Sequence, residues 1–262
     1  MALFGGTAVV TGAAGGIGRA LARRLAQGGA RLVLADIDGA ALTASARELG
    51  ATAVVTDVAS PDDNEALADV AGPTRVLCLN AGVIGSHVGP VWLTPPDQWA
   101  RVMGVNLGGV VNGLRAFVPR MLADDELHHI LITASLAGLA TWPGGGAYAA
   151  SKHAVVTIAE QAALELSDSR VTVTVSCPAL VRSGMSTEGA EPHDVAVEAL
   201  DATGRGEFTV VPAEWRQAVR DRGARLAAGE RPRLPTATPP AAGGGSSRAL
   251  AADVHDDADH RL

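Results

Sequence analysis

Short apolar runs alternate along this chain with longer stretches whose apolar positions recur every third or fourth residue. The runs Thr7 to Val10, Arg31 to Ala35, Thr52 to Thr56, Arg75 to Leu79, Ile130 to Ala134, Val171 to Ser176 and Glu207 to Val211 read as strands. Between them Ile17 to Gln27, Ala40 to Leu49, Asp62 to Val70, Gln98 to Leu122, Ala147 to Leu166 and Pro192 to Ala202 carry the helical period. Regular alternation of this kind predicts βαβ units, hence a parallel sheet covered on both faces. The stretch Ala147 to Leu166 is apolar almost all round, which predicts burial against the sheet and suits a contact with another copy of the chain.

After Arg222 the pattern stops. Pro232 to Pro240 is proline-rich, Ala241 to Ser247 is glycine and serine, and Asp253 to Asp259 is mostly aspartate and histidine. We therefore expect one domain over residues 1–222 and a C-terminal extension over 223–262, disordered from about Pro232. At 262 residues the chain is long enough to bury a substantial core. Cys78 and Cys177 both fall in apolar runs and read as buried free thiols, which fits a reducing, cytoplasmic compartment. The N-terminus leads straight into a strand without the basic and cleavable regions of a signal peptide. A net charge of −7 without a basic stripe argues against nucleic acid and anionic membranes as partners. No apolar run reaches the length of a membrane span.

Chemistry enters at the end of the first strand. Gly12, Gly15, Gly16, Ile17 and Gly18 form a glycine-rich turn into a helix, where backbone N–H groups and a helix N-terminus can approach a pyrophosphate. Asp36 ends the second strand eighteen residues after Gly18. Its carboxylate suits the ribose hydroxyls of NAD and would repel the 2′-phosphate of NADP, and no basic residue stands at Gly15 or Ile37 to reverse that choice. The expected fold is therefore a Rossmann-type doubly wound α/β domain with NAD as cofactor.

The chain has a single tyrosine, Tyr148, and Lys152 stands four residues later. On a helix these two share a face, and a neighbouring ammonium would make the phenol more acidic. With Ser135, thirteen residues upstream, they complete a pattern that resembles the short-chain dehydrogenase/reductase family. The resemblance also rests on the glycine turn, Asp57-Val58, Asn80-Ala81-Gly82, Asn106, and Pro178 to Met185, and covers about Leu3 to Met185. It implies Tyr148 as general acid or base, Lys152 as the group that lowers its pKa and holds the nicotinamide ribose, and Ser135 as the hydrogen-bond partner of the substrate oxygen. It further implies Asn106 as the residue that positions a relay water, in a helix locally perturbed there. Asp57 and Val58 would lie at the adenine, and Asn80, Ala81 and Gly82 beneath the cofactor. Pro178, Ala179, Val181 and Ser183 would belong to the segment that closes over the nicotinamide, with Ala179 and Ser183 replacing the family's usual glycine and threonine.

The family that the chain resembles usually carries a longer substrate-covering segment after this closing loop; the short one here implies an open pocket lined by Val83, Ile84, Trp142, Pro143 and Met185 and suited to an apolar alcohol or ketone. Trp92, Trp99 and Trp215 are expected in core or interface packing. His128-His129 are adjacent and point apart, so no metal site is expected. Two other readings of the same fold are a non-catalytic dinucleotide sensor and an epimerase or dehydratase. A homodimer or homotetramer is expected from the long helices.

Overall fold

The computed structural model describes residues 5–86, 89–184 and 186–238. Among them the chain divides into two compact units, residues 1–212 and 213–262. The first is an α/β domain whose elements follow the alternation of the sequence: β1 (Thr7–Thr11), α1 (Gly16–Gln27), β2 (Arg31–Asp36), α2 (Gly39–Leu49), β3 (Thr52–Val55), α3 (Pro61–Ala71) and β4 (Thr74–Leu79). It continues with α4 (Pro96–Met103), α5 (Gly109–Met121), β5 (His128–Thr133), α6 (Gly146–Glu165), β6 (Val171–Ser176), α7 (Pro192–Gly204) and β7 (Thr209–Val210).

The strands form one parallel sheet in the order β3-β2-β1-β4-β5-β6-β7. Every residue of β1 is buried, as an inner parallel strand requires. Alternation along it divides the core in two. Val9 faces one layer with Leu77, Ile130, Phe117 and Val155, under α3, α5 and α6. Ala8 and Val10 face the other with Leu34, Leu21, Leu42 and Leu200, under α1, α2 and α7. The chain runs outward from β1 to β2 and β3, then returns to β1's other side as β4, so a crevice opens at the C-terminal ends of β1 and β4.

The long helix expected over Gln98 to Leu122 is two α-helices joined by a π-helical turn, Gly104–Gly108. Gly104, Gly108 and Gly109 favour the irregular turn, and Asn106 within it spends its side chain on the backbone of another segment. The last strand is shorter than expected. Phe208 O and Val210 O accept from Val175 N–H of β6 and from Cys177 N–H after it, and Pro212 has no N–H to continue the ladder.

The second unit holds a short 3-10 turn, Ala213–Trp215, and α8 (Arg216–Ala227), with Thr238 N–H donating to Glu214 O at 2.8 Å. The change of character after Arg222 falls inside α8. Residues 231–238 carry no helix or strand, and the remainder of the tail lies outside the described residues.

Candidate active site

The glycine turn is held open by steric necessity. Gly12 has φ +67°, and a Cβ there would lie 2.8 Å from the Cα of Ala81; one at Gly18 would overlap the carbonyl of Gly12. A Cβ at Gly15 would meet nothing within 4 Å, so this side of the turn is free to face a ligand. Gly16, at φ +51°, opens α1, and its Cβ would come within 3.2 Å of Ser183 Cβ, which places the segment after Pro178 over the turn. Bare backbone leading into a helix N-terminus suits a pyrophosphate. Ile17 packs on the core layer under α1 and α2.

Asp36 stands beside this turn. One carboxylate oxygen accepts from Ala14 N–H and the other from Asp38 N–H, each at 3.0 Å. The side chain therefore fixes the glycine turn against β2 and still has lone pairs to offer. Ile37, next to it, is 69% exposed. On the far side of β2, Asp57 accepts from Ala59 N–H at 2.9 Å, and Val58 is buried.

The floor is the end of β4. Thr11 Oγ1 accepts from Asn80 N–H at 2.9 Å and Ala81 N–H at 3.1 Å, while Asn80 Nδ2 donates to Thr11 O at 3.1 Å. Asn80 Oδ1 accepts from Thr133 Oγ1 at 3.0 Å. Thr133 O in turn accepts from Lys152 Nζ at 3.0 Å, so a continuous hydrogen-bonded chain runs from the glycine turn to the lysine. A Cβ at Gly82 would lie 3.3 Å from both Lys152 Nζ and Asn106 Oδ1, and only glycine leaves that meeting place clear.

Asn106 is buried. Its Oδ1 accepts from Val83 N–H at 2.8 Å and its Nδ2 donates to Val83 O at 2.9 Å and to Ser151 Oγ at 2.9 Å. Ser151 Oγ donates to Tyr148 O at 2.7 Å. The π-helical turn thus ties the floor at Val83 to the tyrosine's own turn of α6. Ser135 follows β5 with extended backbone, and its Oγ accepts from Ala137 N–H at 3.1 Å. Leu136 N–H donates to Pro178 O at 2.8 Å, which joins the serine's turn to the segment over the glycine turn. In that segment Val181 is buried, Ala179 is half-buried, and Ser183 N–H donates to Ser186 O at 2.8 Å.

The electrostatics depart from the sequence expectation. Burial pushes the Tyr148 phenol above its ordinary value, and hydrogen bonding with the Ser135 side chain opposes this. Lys152 does not bring the phenol down: its ammonium bonds Thr133 O and lies 5.8 Å from the centroid of the tyrosine ring. Burial instead depresses Lys152 itself to about 8, with Cys177 acting the other way. The fourfold spacing does bring the two side chains together, but each answers first to its own desolvation.

Of the expected substrate residues, Val83 follows the floor, Ile84 is exposed, Trp142 is half-buried and Pro143 exposed in the loop before Tyr148; Met185 lies outside the described residues. Trp92 is 80% exposed, so of core or interface packing it does not have the core, whereas Trp215 is buried. His128 bonds Thr74 O and Asp124, and His129 bonds Thr172 Oγ1, so the two rings serve different partners. Among the described residues no group of three His, Cys, Asp or Glu side chains is placed to hold a metal, and no helix is long and apolar enough to cross a membrane. Sequence reasoning passed over Thr11, Thr133 and Ser151. The available signal for the last of these was a hydroxyl side chain between Tyr148 and Lys152 on the same turn of helix.

The model of the short chain dehydrogenase family matches residues 6–194. The chain is 42% identical over 212 residues to 1-deoxy-11-beta-hydroxypentalenate dehydrogenase of Streptomyces avermitilis, covering 75% of this chain and 78% of that protein. It is 34% identical over 201 residues to 3beta-hydroxysteroid dehydrogenase 2 of Eggerthella lenta, covering 73% and 77%. A short chain dehydrogenase/reductase from Burkholderia phymatum, crystallised in complex with NAD, superposes with a TM-score of 0.86 at 34% identity, covering 90% of this chain and 99% of that one. This protein belongs to the short-chain dehydrogenase/reductase family, a family of oxidoreductases that act on hydroxyl groups.

Proposed function

We propose that the protein is an NAD-dependent dehydrogenase interconverting an apolar, alicyclic secondary alcohol and its ketone. The observation that carries this reading is the convergence of Ser135, Tyr148 and Lys152, through Thr133 and Asn80, on the crevice beside the glycine turn. The names of the two relatives, which refer to a hydroxypentalenate and a hydroxysteroid, support a hydroxyl-bearing substrate, and the hydroxysteroid supports a largely apolar one. Val83, Ile84, Trp142 and Pro143 supply apolar surface for it, with Met185 as the fifth expected member.

The nicotinamide, when bound, accepts or supplies the hydride. The chain does the rest. Gly12, Gly15, Gly16, Ile17 and Gly18 hold the pyrophosphate on backbone N–H groups, Asp36 accepts from the ribose hydroxyls, and Asp57-Val58 meets the adenine. Ile37 borders the adenine side, Asn80, Ala81 and Gly82 form the floor, and Pro178, Ala179, Val181 and Ser183 cover the nicotinamide end. Tyr148, a protonated phenol in the unliganded site, gives its proton to the substrate oxygen in reduction; in oxidation it can take the hydroxyl proton only as the phenolate, after its own proton has left to solvent, a state that a charged Lys152 and a bound cofactor would favour. Ser135 donates to the same oxygen as charge develops on it, an interaction worth about 2–4 kcal/mol at such sites. Lys152 lies within the polar chain that leads to the floor, and its pKa of about 8 puts its charge within reach of working pH. Asn106, fixed by its bonds to Val83 and Ser151, would position the relay water behind Lys152.

The test is a panel of alcohols and ketones with NAD(H) and NADP(H), followed by nicotinamide absorbance. Apolar alicyclic alcohols are expected to react with NAD; preference for charged sugars would contradict the substrate class. Substrate consumed with no net absorbance change would mark an epimerase or dehydratase instead. Asp36→Ala is expected to lower the ratio of kcat/KM for NAD over NADP by at least about tenfold, because an anion that repels the 2′-phosphate is gone. We place the enzyme in the cytoplasm as a homodimer or homotetramer paired through the outward faces of α5 and α6, where Leu164 is 75% exposed. Light scattering on the purified chain checks the assembly.

A further inference from the structure

The segment between β3 and α3 carries Asp57 and Val58, the residues assigned to the adenine. Three consecutive carbonyls of this turn are held by side-chain amides from two helices. Asn64, in α3, donates to Val58 O at 2.9 Å and Ser60 O at 2.7 Å. Its Oδ1 is buried with no hydrogen-bond partner, so this amide is placed for its donors. Asn112, in α5, donates to Val58 O at 3.1 Å and Ala59 O at 3.2 Å.

The two amides differ in reach. Asn64 belongs to the helix that the turn itself begins, and with Ser60 and Asp63 it forms the local cap; Asp63 also accepts from Asp57 N–H at 2.8 Å. Asn112 comes from 54 positions along the chain and joins the turn to a neighbouring helix of the same layer. Packing follows the same line. Gly109, one helical turn before Asn112, lies so close to Val58 that a Cβ there would sit 2.7 Å from Val58 Cγ2. A close-packed valine and two carbonyl bonds together dock the turn on α5.

We infer that Asn112 is a positioning residue for the adenosine half of the dinucleotide, holding the Asp57-Val58 turn at a fixed distance from α5. The inference rests on the dinucleotide reading above. Carbonyls committed to Asn112 cannot rotate, so Val58 and the Asp57 backbone keep one arrangement before ligand arrives, and the ordering cost of binding falls. The role differs from that of Asn106, which lies on the same run of helix but bonds Val83 and Ser151 at the catalytic end.

ADP-ribose carries the adenosine half and lacks the nicotinamide, so it reads this end of the site alone. Calorimetric titration of the full chain with ADP-ribose is expected to give about tenfold weaker binding for Asn112→Ala than for wild type, the loss set by two amide hydrogen bonds. Asn112→Gln, which keeps the amide donors on a longer arm, is expected to fall between them. KM for NAD should rise by the same factor, with kcat unchanged within about twofold for the best alcohol of the panel. Unchanged ADP-ribose affinity in Asn112→Ala overturns the inference and leaves the dehydrogenase reading standing. A fall in kcat without loss of affinity also overturns it, since Asn112 would then act at the catalytic end. If both variants lose melting temperature in step with affinity, Asn112 is a general fold contact and not a positioning residue. Failure of wild type to bind ADP-ribose removes the dinucleotide reading itself, and the inference with it.

Discussion

Tyr148 and Lys152 each pay a desolvation penalty, in opposite directions. A phenol pushed above its ordinary 10.0 resists ionisation, and an amine brought to about 8 resists protonation. Holding an ammonium in this place is therefore a cost to the fold at neutral pH. A depression from 10.5 to about 8 corresponds to about 3 kcal/mol, against which stands about 1 kcal/mol for the bond to Thr133 O. Lys152→Met is thus expected to stabilise the protein by about 1–2 kcal/mol at pH 7 while removing turnover, measured by denaturant melts beside the activity assay. Tyr148→Phe keeps the ring and loses the proton carrier, so turnover is expected to fall by about 10²-fold or more with NAD binding retained. Because no other tyrosine is present, the ultraviolet difference spectrum titrates this phenol alone, and its midpoint is expected above 10. Near-normal turnover in Tyr148→Phe would end the mechanism, whatever became of the fold.

Elements meet at this site with little tolerance. The 3-10 turn Leu136–Gly138 after Ser135 lies against α6, and a Cβ at Gly138 would be 2.5 Å from Lys152 O and 2.8 Å from its carbonyl carbon. Both are backbone atoms, so the added methyl must separate the turn from the helix. Gly138→Ala is expected to cost about 2–4 kcal/mol and to lower kcat by more than it raises KM, since it moves Ser135 relative to Tyr148. Steady-state kinetics on the folded fraction checks that split. Nothing in the sequence singled out Gly138, because its role depends on which backbone comes to face it. The same holds for Ser151, Thr133 and Asn112, whose partners lie on other elements. What could be read was what period and local chemistry determine: the strands, the glycine turn, the tyrosine and lysine on one helix. The apolar period of α4 and α5 runs nearly unbroken through the π-helical turn, and it was the resemblance at Asn106, not the period, that marked a local perturbation there. α8 escaped the sequence reading, since among its residues Ala218 alone is buried and the sequence offers no apolar stripe.

For the α/β domain as a whole, the buried titratable groups set how stability depends on pH. Cys78 and Cys177 are both pushed by burial from 9.0 to about 12. A raised folded value means that the native state holds its protons longer than the unfolded chain. Stability from the thiols is therefore full below pH 9 and is lost as pH rises toward 12. Tyr148 acts in the same direction above its ordinary 10.0. Lys152 acts in the other: its folded value is depressed, the unfolded chain holds the extra proton between about 8 and 10.5, and stability rises through that window. The lysine's gain, about 3 kcal/mol, roughly offsets what the two thiols lose by pH 10.5, about 2 kcal/mol each. The lysine's contribution then ends, while thiols and phenol continue to lose. Stability is thus expected to stay nearly level from pH 8 to about 10 and to fall steeply beyond, as measured by denaturant midpoints at constant ionic strength. Cys78→Ala removes one thiol remote from the lysine and should make the alkaline fall shallower; an unaltered slope in that variant would show that the buried thiols do not set it.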